Sequence, residues 1–419
     1  MKTIRKKISA AAAALVAAVF VSTPAIAKAD VVLDWNAIAI SAAVTNPFNQ
    51  ARVMATTQLA VFEAVNAIER GYEPYLGTVV APAGASSDAA VIAAASRVLR
   101  ESLPGSVGMV DAARASSLAA IPDGPAKTSG IAVGEAAAAA MLANRLNDGS
   151  TVAEFHLPAS TDPGVWQLTP SCPAAGSGFL HWGNLMTFGV ANAADFLAAP
   201  PPAMTGGRYA KDFEEVKRVG GKTSPDRPQD RTDVALFYAA SSPAYVFNLA
   251  ARQMATQQNR SRADNARSLA LINMAISDAF VASFATKYHY ALWRPETAIH
   301  GAAFDGNPRT EADPDWQPLV AAPCFPSYVS NHASGSNSAA EMLRRLYGPA
   351  GHVITLTHPA FPALVYHYSQ LKQITADIDD ARVYGGIHFR FDQEGGATLA
   401  REVATAVYKN NLRPVPGGN

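Results

Sequence analysis

Cysteine is scarce in this chain of 419 residues, which contains only Cys172 and Cys324. Two thiols so far apart in sequence do not make a zinc site, because structural zinc needs four closely grouped ligands. In an oxidising compartment the two could pair and close a loop of roughly 150 residues. They could equally be two separate buried thiols. The sequence leaves both alternatives open.

Charge is also low: charged residues make up 16% of the chain, and 34 Lys and Arg balance 34 Asp and Glu. Four of the cations stand near the start, namely Lys2, Arg5, Lys6 and Lys7. Without them, 30 cations face 34 acidic residues, a formal charge near −4. A chain without a basic excess has no electrostatic means of recruiting nucleic acid or an anionic membrane.

Long apolar runs are missing beyond residue 27, which predicts no stable membrane insertion of the mature chain. Residues 1–27 are typical of a signal peptide. They combine a charged start, an apolar stretch at 8–21 that is too short for a membrane span, and a small-x-small sequence at 25–27. We therefore expect a secreted or periplasmic protein, whose oligomeric state the sequence does not indicate.

Apolar residues make up 49% of the chain, enough to fill a large core. Their periodicity and the end signals predict helices at 50–70, 88–101, 109–120, 126–147, 208–219, 232–257, 262–294, 333–347, 360–379 and 393–411. A proline-rich connector is expected at 150–207, with a short helix near 186–198. No alternating strand pattern stands out.

We therefore predict an all-α fold of two packed helical bundles with little or no β-sheet. The expected division of the chain is a signal peptide at 1–27, an N-terminal bundle with the connector at 28–207, and a C-terminal bundle at 208–419. The candidate site residues all fall in this last part.

Residues 287–295 carry the first candidate site. On a helix, Lys287 and Arg294 stand two turns apart on one face, and Pro295 ends the helix after them. A lysine point charge and an arginine fork converging from one face can bind a small oxyanion. Alone, the pair could equally belong to a solvated helix face.

A second motif, Ser330-Asn331-His332, stands where a helix is expected to begin. At a helix start the backbone N–H groups and the positive end of the dipole favour an anion. A serine hydroxyl and a histidine at this position therefore suit oxyanion binding and proton transfer.

The third motif is Arg382-x5-His388-x3-Asp392. Helical spacing would stack His388 and Asp392, so that the carboxylate holds one ring nitrogen and leaves the other free as a nucleophile or ligand. Gly385-Gly386 is expected to break the helix before His388, which lets Arg382 turn inward. Three motifs in order favour a functional site over chance.

These motifs resemble the three signature motifs of the vanadium-dependent haloperoxidase and type 2 phosphatidic-acid phosphatase superfamily. The matching stretches are Lys287-x6-Arg294-Pro295, Phe325-Pro326-x3-Ser330-x-His332 and Arg382-x5-His388-x3-Asp392. Trp293 and Tyr328 make their context more similar to the haloperoxidase branch. The resemblance implies paired four-helix bundles with the site in the second bundle.

The resemblance also implies vanadate as the cofactor, or phosphate in its place. The residues expected to bind its oxygens are Lys287, Arg294, Ser330, Asn331 and Arg382. His388 would be the axial vanadium ligand or, in a phosphatase, the nucleophile. His332 would be the acid or base, and Asp392 would orient His388.

Two positions depart from the family pattern: Asn331 replaces a usual glycine and Ala381 a common serine. Neither change removes an ionisable group. Because a glycine lets its backbone amide approach an anion closely, we expect Asn331→Gly to strengthen oxyanion binding.

Three functions are compatible with these residues. The first is an exported haloperoxidase that uses hydrogen peroxide to oxidise a halide, with Lys287 polarising the bound peroxide. The second is a soluble acid phosphatase acting on a phosphate monoester through a phosphohistidine at His388. The third is a non-catalytic oxyanion-binding protein. The motifs do not identify the halide or an organic acceptor.

Overall fold

The structure, a computed structural model, describes residues 30–415. The signal-peptide prediction for 1–27 lies outside the described residues and stays a prediction. Within 30–415 the chain forms thirteen α-helices and a single two-stranded antiparallel hairpin. The all-α prediction with little β-sheet is confirmed.

The N-terminal group contains five helices. They are α1 (Val31–Ala42), α2 (Pro47–Glu69), α3 (Ser87–Ser102), α4 (Val107–Ala119) and α5 (Pro125–Asn144). Asn46 caps the start of helix α2, and its side chain accepts hydrogen bonds from the N–H groups of Phe48 and Asn49. Such a cap satisfies N–H groups that have no partner within the helix.

Helices α3 and α5 pack unusually closely because two glycines face the contact. A Cβ at Gly130 would lie 2.2 Å from the carbonyl oxygen of Ser86, and one at Gly134 would lie 2.2 Å from that of Ala90. Any larger residue would push the helices apart. This contact explains part of the alanine- and glycine-rich sequence of α5.

The C-terminal group contains eight helices and the hairpin. They are α6 (Gly207–Gly220), α7 (Gln229–Ala240), α8 (Pro243–Gln257), α9 (Arg262–Tyr290), α10 (Pro295–Gly301), α11 (Asn331–Tyr347), β1 (Ala350–Thr357), β2 (Val365–Gln370), α12 (Leu371–Tyr384) and α13 (Arg390–Asn410). Helix α9 packs against α2, α11 and α13, so it joins the two groups.

Helix α9 is long and apolar enough to cross a membrane by length and composition, but 94% of its apolar window is buried in the protein. A helix that is apolar on all sides is expected where other helices surround it. The same feature places Lys287, near its end, in the interior.

Two helix predictions were wrong in the C-terminal group. Residues 360–370 do not begin a helix. Residues 365–370 form β2, which pairs with β1, and the helix covers only 371–384. The inward residues of β1 are His352, Ile354 and Leu356, but the exposed Val353 between them hides the alternation. The single helix expected at 232–257 is two helices at 97° to each other, because Pro243 starts a new one.

The connector at 145–206 is held to the helices by several hydrogen bonds and by a disulfide. The carboxylate of Asp278 on α9 accepts the N–H groups of Phe188, Gly189 and Val190 at 2.7, 2.7 and 3.1 Å. Farther along, a disulfide joins Cys172 to Cys324, which resolves the alternatives left by the sequence. The short helix predicted near 186–198 is absent from the described chain except for a 3-10 turn at Ala193–Phe196.

A ladder of three buried asparagines joins α1, α8 and α9. Asn36 Nδ2 donates to Asn248 Oδ1 at 2.7 Å, and Asn248 and Asn273 exchange hydrogen bonds of 2.8 and 2.9 Å. Arg252 donates to Asn36 Oδ1 at 2.7 Å. Every side-chain nitrogen and oxygen of this asparagine ladder is paired, which fixes how the three helices align.

One hydrophobic cluster runs through both helix groups, with α2 packed directly on α9. The division of the chain at residue 207 therefore stays a prediction. The contact between α2 and α9 matters for the site, because it brings the start of α2 beside the C-terminal motifs.

Candidate oxyanion site

The first motif reaches the site differently from the prediction. Helix α9 ends at Tyr290, because Ala291 adopts a left-handed conformation with φ 45°. Arg294 is extended, and Pro295 begins α10. Lys287 and Arg294 therefore do not share a helix face. They still converge, because the chain between them turns back on itself.

Backbone carbonyls of one segment hold both cations. Lys287 Nζ donates to the carbonyl oxygens of Pro326 and Ser327, each at 2.8 Å. Arg294 Nε donates to the carbonyl oxygen of Phe325, also at 2.8 Å. The Phe325 ring lies 5.2 Å from the lysine nitrogen and 5.0 Å from the guanidinium carbon. Residues 325–327 thus position two of the three cations.

The second motif begins α11 as predicted. Ser330 is the cap residue, and its hydroxyl accepts the N–H of Ala333 at 3.3 Å. Asn331 and His332 form the first turn, so their backbone N–H groups belong to those without a helical acceptor. Asn331 is buried, and His332 is half-buried with its ring at a cavity.

The ring of His332 has an unpaired nitrogen: Nε2 has no hydrogen-bond partner among the described residues. The backbone carbonyls of Ser241 and Tyr238, at the end of α7, favour the protonated form of the ring and raise its pKa. Burial and Arg382 outweigh them and lower the pKa of His332 well below its ordinary value. A neutral ring with an accepting Nε2 is therefore expected.

His388 and Asp392 pair as predicted, but not along a helix. His388 lies two residues before α13, and Asp392 lies in the first turn of that helix. Asp392 Oδ2 accepts from His388 Nδ1 at 2.7 Å, from Ser327 Oγ at 2.6 Å and from the Phe389 N–H at 3.1 Å. Gly386, with φ 79°, turns the chain before His388 and confirms the expected break. The pairing leaves His388 Nε2 on the other side of the ring, 3.1 Å from Arg294 Nη1.

Several buried donors of this site lack an acceptor in the part of the chain that the structure describes. They are Arg294 Nη2, Asn331 Nδ2 and Arg382 Nε. Arg294 Nη1 is occupied by the Ile387 carbonyl at 2.8 Å and lies 3.1 Å from His388 Nε2. Buried donors are almost always paired in proteins, so a group of unpaired ones indicates a ligand. We call Lys287, Arg294, Asn331, His332, Arg382 and His388 the cradle.

The charges of the cradle also require an anion. Three buried cations face one buried carboxylate, Asp392. Burial, followed by the neighbouring cations, lowers the pKa of Lys287 well below its ordinary value. Burial likewise lowers the pKa of Arg294 to about 9 and that of Arg382 to about 10. Each cation is thus held where its charged form is disfavoured, and a bound anion would reverse this.

Burial also acts on the two groups that hold the histidine. It raises the pKa of Asp392 to about 6, although Ser327, Lys287 and Arg294 oppose it. The pKa of His388 lies well below its ordinary value because of burial and the nearby cations. A neutral His388 with Nδ1–H directed at Asp392 presents a lone pair on Nε2, as a ligand or nucleophile requires.

A cavity of about 320 Å³ opens onto Asn331, His332, Arg382 and His388. Its walls are largely apolar and come from both helix groups: Phe48 from α2, Phe179 from the connector, and Pro243, Phe280 and Phe325 from the C-terminal group. The cradle therefore forms the polar end of an apolar cavity.

Sequence reasoning missed Ser327, Ser283 and the aromatic wall. Ser327 lies within the second motif, but no spacing pattern in the sequence indicates that it donates a hydrogen bond to Asp392. Phe48 contacts five other rings, with centroids 4.6 to 6.1 Å away, at Phe179, Trp182, Phe280, Phe284 and Phe325. Only the packing of α2 on α9 shows that it belongs here.

The remaining histidines lie outside the cradle, as expected. None of His156, His181, His289, His300, His352, His358 or His367 contributes to the cavity lining. His300, for example, pairs with the Trp316 carbonyl at 2.7 Å. No group of three or more His, Cys, Asp or Glu suited to a metal ion occurs in residues 30–415.

Comparison with known proteins gives consistent results. Residues 267–417 match the family model described as the VCPO second helical-bundle domain. A vanadium chloroperoxidase of Curvularia inaequalis is 25% identical over an alignment 278 residues long that covers 50% of this chain. The match spans 44% of that relative, less than half of its length.

Solved structures resemble the whole described chain. A structure titled as the first bacterial vanadium-dependent iodoperoxidase has a TM-score of 0.77 at 23% identity, covering 93% of this chain and 97% of its own. An apo bacterial vanadium-dependent chloroperoxidase has a TM-score of 0.72 at 15% identity, with coverages of 87% and 94%. At these identities the likeness establishes the fold.

Proposed function

We propose that this chain, which resembles vanadium haloperoxidases in fold and whose residues 267–417 match a VCPO second helical-bundle domain, is an exported vanadium-dependent haloperoxidase. It would oxidise a halide with hydrogen peroxide at vanadate bound to His388. The observation that carries the proposal is the cradle, in which three buried cations and several unpaired donors gather with Nε2 of a neutral histidine, 3.1 Å from Arg294 Nη1.

Vanadate fits the residues present. It is a tetrahedral oxyanion, and the donors at Arg294, Asn331 and Arg382 have no other acceptor in the described chain. Lys287 uses two of its three N–H donors on carbonyls and retains one. His388 Nε2 would be the single protein ligand of the metal. Bound vanadium(V) would supply a Lewis acid that activates peroxide without changing its own oxidation state.

The surrounding side chains have separate tasks in this proposal. Asp392 fixes the tautomer of His388 and favours an electron-rich Nε2. His332, neutral and open at Nε2, accepts and returns the protons of peroxide. Lys287 and Arg382 stabilise negative charge on oxygen in an enclosed site, where such contacts are stronger than in water.

The cavity favours small reactants. Its volume of about 320 Å³ lies at the low end of small-molecule pockets, and its walls are largely aromatic and aliphatic. These properties suit peroxide and a halide better than a bulky phosphate ester. They support the haloperoxidase proposal over the phosphatase alternative, which would use the same cradle.

Export remains part of the proposal. The signal-like sequence at 1–27 is its first support. The Cys172–Cys324 disulfide is the second, because such bonds persist chiefly in oxidising compartments.

The test is a direct comparison of two activities with and without orthovanadate. Purified chain is assayed for peroxide-dependent oxidation of bromide and iodide, and in parallel for hydrolysis of p-nitrophenyl phosphate. Halide oxidation that depends on vanadate is the expected result. Ester hydrolysis that vanadate inhibits, without oxidation, would replace the proposal by the phosphatase. Phosphate binding with neither activity would indicate a non-catalytic protein.

A further inference from the structure

The side chain of Asn331 is held in one orientation by a residue of another helix. The hydroxyl of Ser283, on α9, donates to Asn331 Oδ1. Both residues are buried, so water does not compete with this bond. Because the oxygen is occupied by a donor, the amide nitrogen must face the opposite way.

The amide nitrogen of Asn331 has no partner among the described residues. Nδ2 is buried and donates to no acceptor in residues 30–415, although an amide nitrogen has two hydrogens to donate. Asn331 lines the same cavity as His332, Arg382 and His388. An unpaired buried amide is unfavourable, and an acceptor in the cavity would relieve that cost.

We propose that the Asn331 side chain donates a hydrogen bond directly to the bound oxyanion, and that Ser283 is the positioning residue that aims it. This inference rests on the proposed function only in requiring that the cradle bind a tetrahedral oxyanion. It reverses the expectation from the sequence, in which the side chain of Asn331 was an obstacle to the backbone amide.

A neutral amide adds affinity without adding charge. The cradle already confines three cations, and burial together with their mutual repulsion lowers the pKa of Lys287. A fourth cation would increase that repulsion, whereas the amide contributes a neutral donor. The arrangement therefore strengthens anion binding without adding charge repulsion to the free protein.

Calorimetric titration with orthovanadate and with inorganic phosphate tests the inference. Asn331→Gly should weaken both affinities about 10- to 100-fold, the usual effect of one hydrogen bond to a charged group. Ser283→Ala, which leaves the amide in place but frees it to rotate, should weaken them several-fold. Asn331→Asp, which puts a carboxylate against the anion, should weaken them more than Asn331→Gly.

Asn337→Gly is the matched control. Asn337 lies on the same helix, and its amide is satisfied by the Ala333 carbonyl at 3.0 Å. The same substitution there should leave both affinities unchanged, although it lowers stability by up to about 1 kcal/mol. Thermal unfolding and circular dichroism of each variant confirm that the compared proteins are folded.

The outcomes separate the inference from the proposed function. If wild type binds both anions and Asn331→Gly binds them equally or more tightly, the side chain is not a donor and the inference is wrong, while the oxyanion site stands. If wild type binds neither anion, both the site and the role of Asn331 are overturned. Loss of affinity in Asn331→Gly with an unaffected Ser283→Ala would remove the positioning role of Ser283 alone.

Discussion

The asparagine ladder and the cradle are both buried polar clusters, but they differ in how their donors are used. In the ladder, Asn36, Asn248 and Asn273 pair every side-chain nitrogen and oxygen with protein atoms. In the cradle, Arg294, Asn331 and Arg382 each keep a buried nitrogen without a partner. Both clusters are buried and polar, but the cradle contains cations and leaves donors unpaired, whereas the ladder is neutral and fully paired.

The difference separates structural polar groups from ligand-binding ones. A fully paired network stabilises one arrangement of the helices and has nothing left to offer a ligand. An incompletely paired one is unfavourable in the free protein and becomes favourable when an acceptor binds. Mutations should therefore have opposite effects on stability and binding in the two clusters.

The largest effects are expected at the two cradle histidines. His388→Ala should abolish vanadium retention, because it removes the only protein ligand of the metal in the proposed site. His332→Ala should retain the anion but lose about 10²–10⁴ in turnover, the usual contribution of a general acid or base. Metal analysis after dialysis, together with steady-state rates, measures both.

His367→Ala is the matched control for these variants, because His367 is exposed on β2 and far from the cavity lining. It should change neither vanadium content nor rate. Equal vanadium loss from His332→Ala and His388→Ala would contradict the division of tasks.

The next largest effect is expected in the ladder. Asn248→Ala leaves Asn36 Nδ2 buried without its acceptor and Asn273 Oδ1 buried without its donor, and should lower the free energy of unfolding by about 2–4 kcal/mol. Affinity for phosphate should stay within about twofold, since the ladder makes no contact with a ligand. Urea denaturation and calorimetry measure the two quantities. Asn337→Ala, whose amide contacts only its own helix, should lose less than about 1 kcal/mol.

Arg382→Met should behave in the opposite way. It removes a buried cation with an unpaired Nε, so stability without an anion should be unchanged or about 1 kcal/mol higher. In wild type, phosphate at a hundred times its dissociation constant should add about 2.7 kcal/mol to the free energy of unfolding. In the variant it should add nothing. Denaturation with and without phosphate measures this. A variant that is 2 kcal/mol less stable without phosphate would show that Arg382 is structurally paired.

The smallest effect concerns Asp278, whose carboxylate holds the connector through the N–H groups of residues 188–190. Burial raises the pKa of Asp278 to about 6 from 3.8, against the opposing N–H bonds of 188–190. The folded protein then binds more protons than the unfolded chain between these values, so this group's contribution to stability falls as pH rises from about 4 to 6.

Comparison with Asp278→Asn isolates that contribution. The free energy of unfolding of wild type, relative to that of the variant, should rise by about 1 kcal/mol per pH unit as pH falls from 6 to 4. Urea denaturation of both proteins at pH 6.5 and 4.5 measures it. An advantage that shrinks instead would show that the three N–H bonds outweigh burial.

Much of the fold was predictable from short-range patterns. The long helices carry their own periodicity and end signals, and Gly386 marked the break before His388. The cradle residues could be identified because their spacing along the chain matches a known motif set. Their identity was predictable even where the local geometry was not, as with Lys287 and Arg294.

The rest depended on contacts that no local pattern encodes. Ala291 ends α9 in a left-handed conformation, although neither glycine nor asparagine stands there. The pairing of β1 with β2 was hidden because Val353 is apolar but exposed. The cavity wall contributed by Phe48, and the bond from Ser283 to Asn331, arise only when helices distant in sequence pack together.

Under the proposed function, the disulfide also affects the protein's exposure to its own product. Cys324 stands between Pro323 and Phe325, which both line the cavity. A free thiol there would be among the first groups that a hypohalous acid leaving the cavity could oxidise. Cys324 is paired with Cys172, and the described cavity lining contains neither methionine nor free cysteine, so such an oxidant would meet few oxidisable sulfur atoms.

Under the proposed function, Cys172→Ala, which leaves Cys324 unpaired, should inactivate after fewer turnovers than a variant with alanine at both positions. Equal lifetimes of the two variants would mean that the thiol is not the target. The expected difference would make resistance to self-inactivation a property of this one bond.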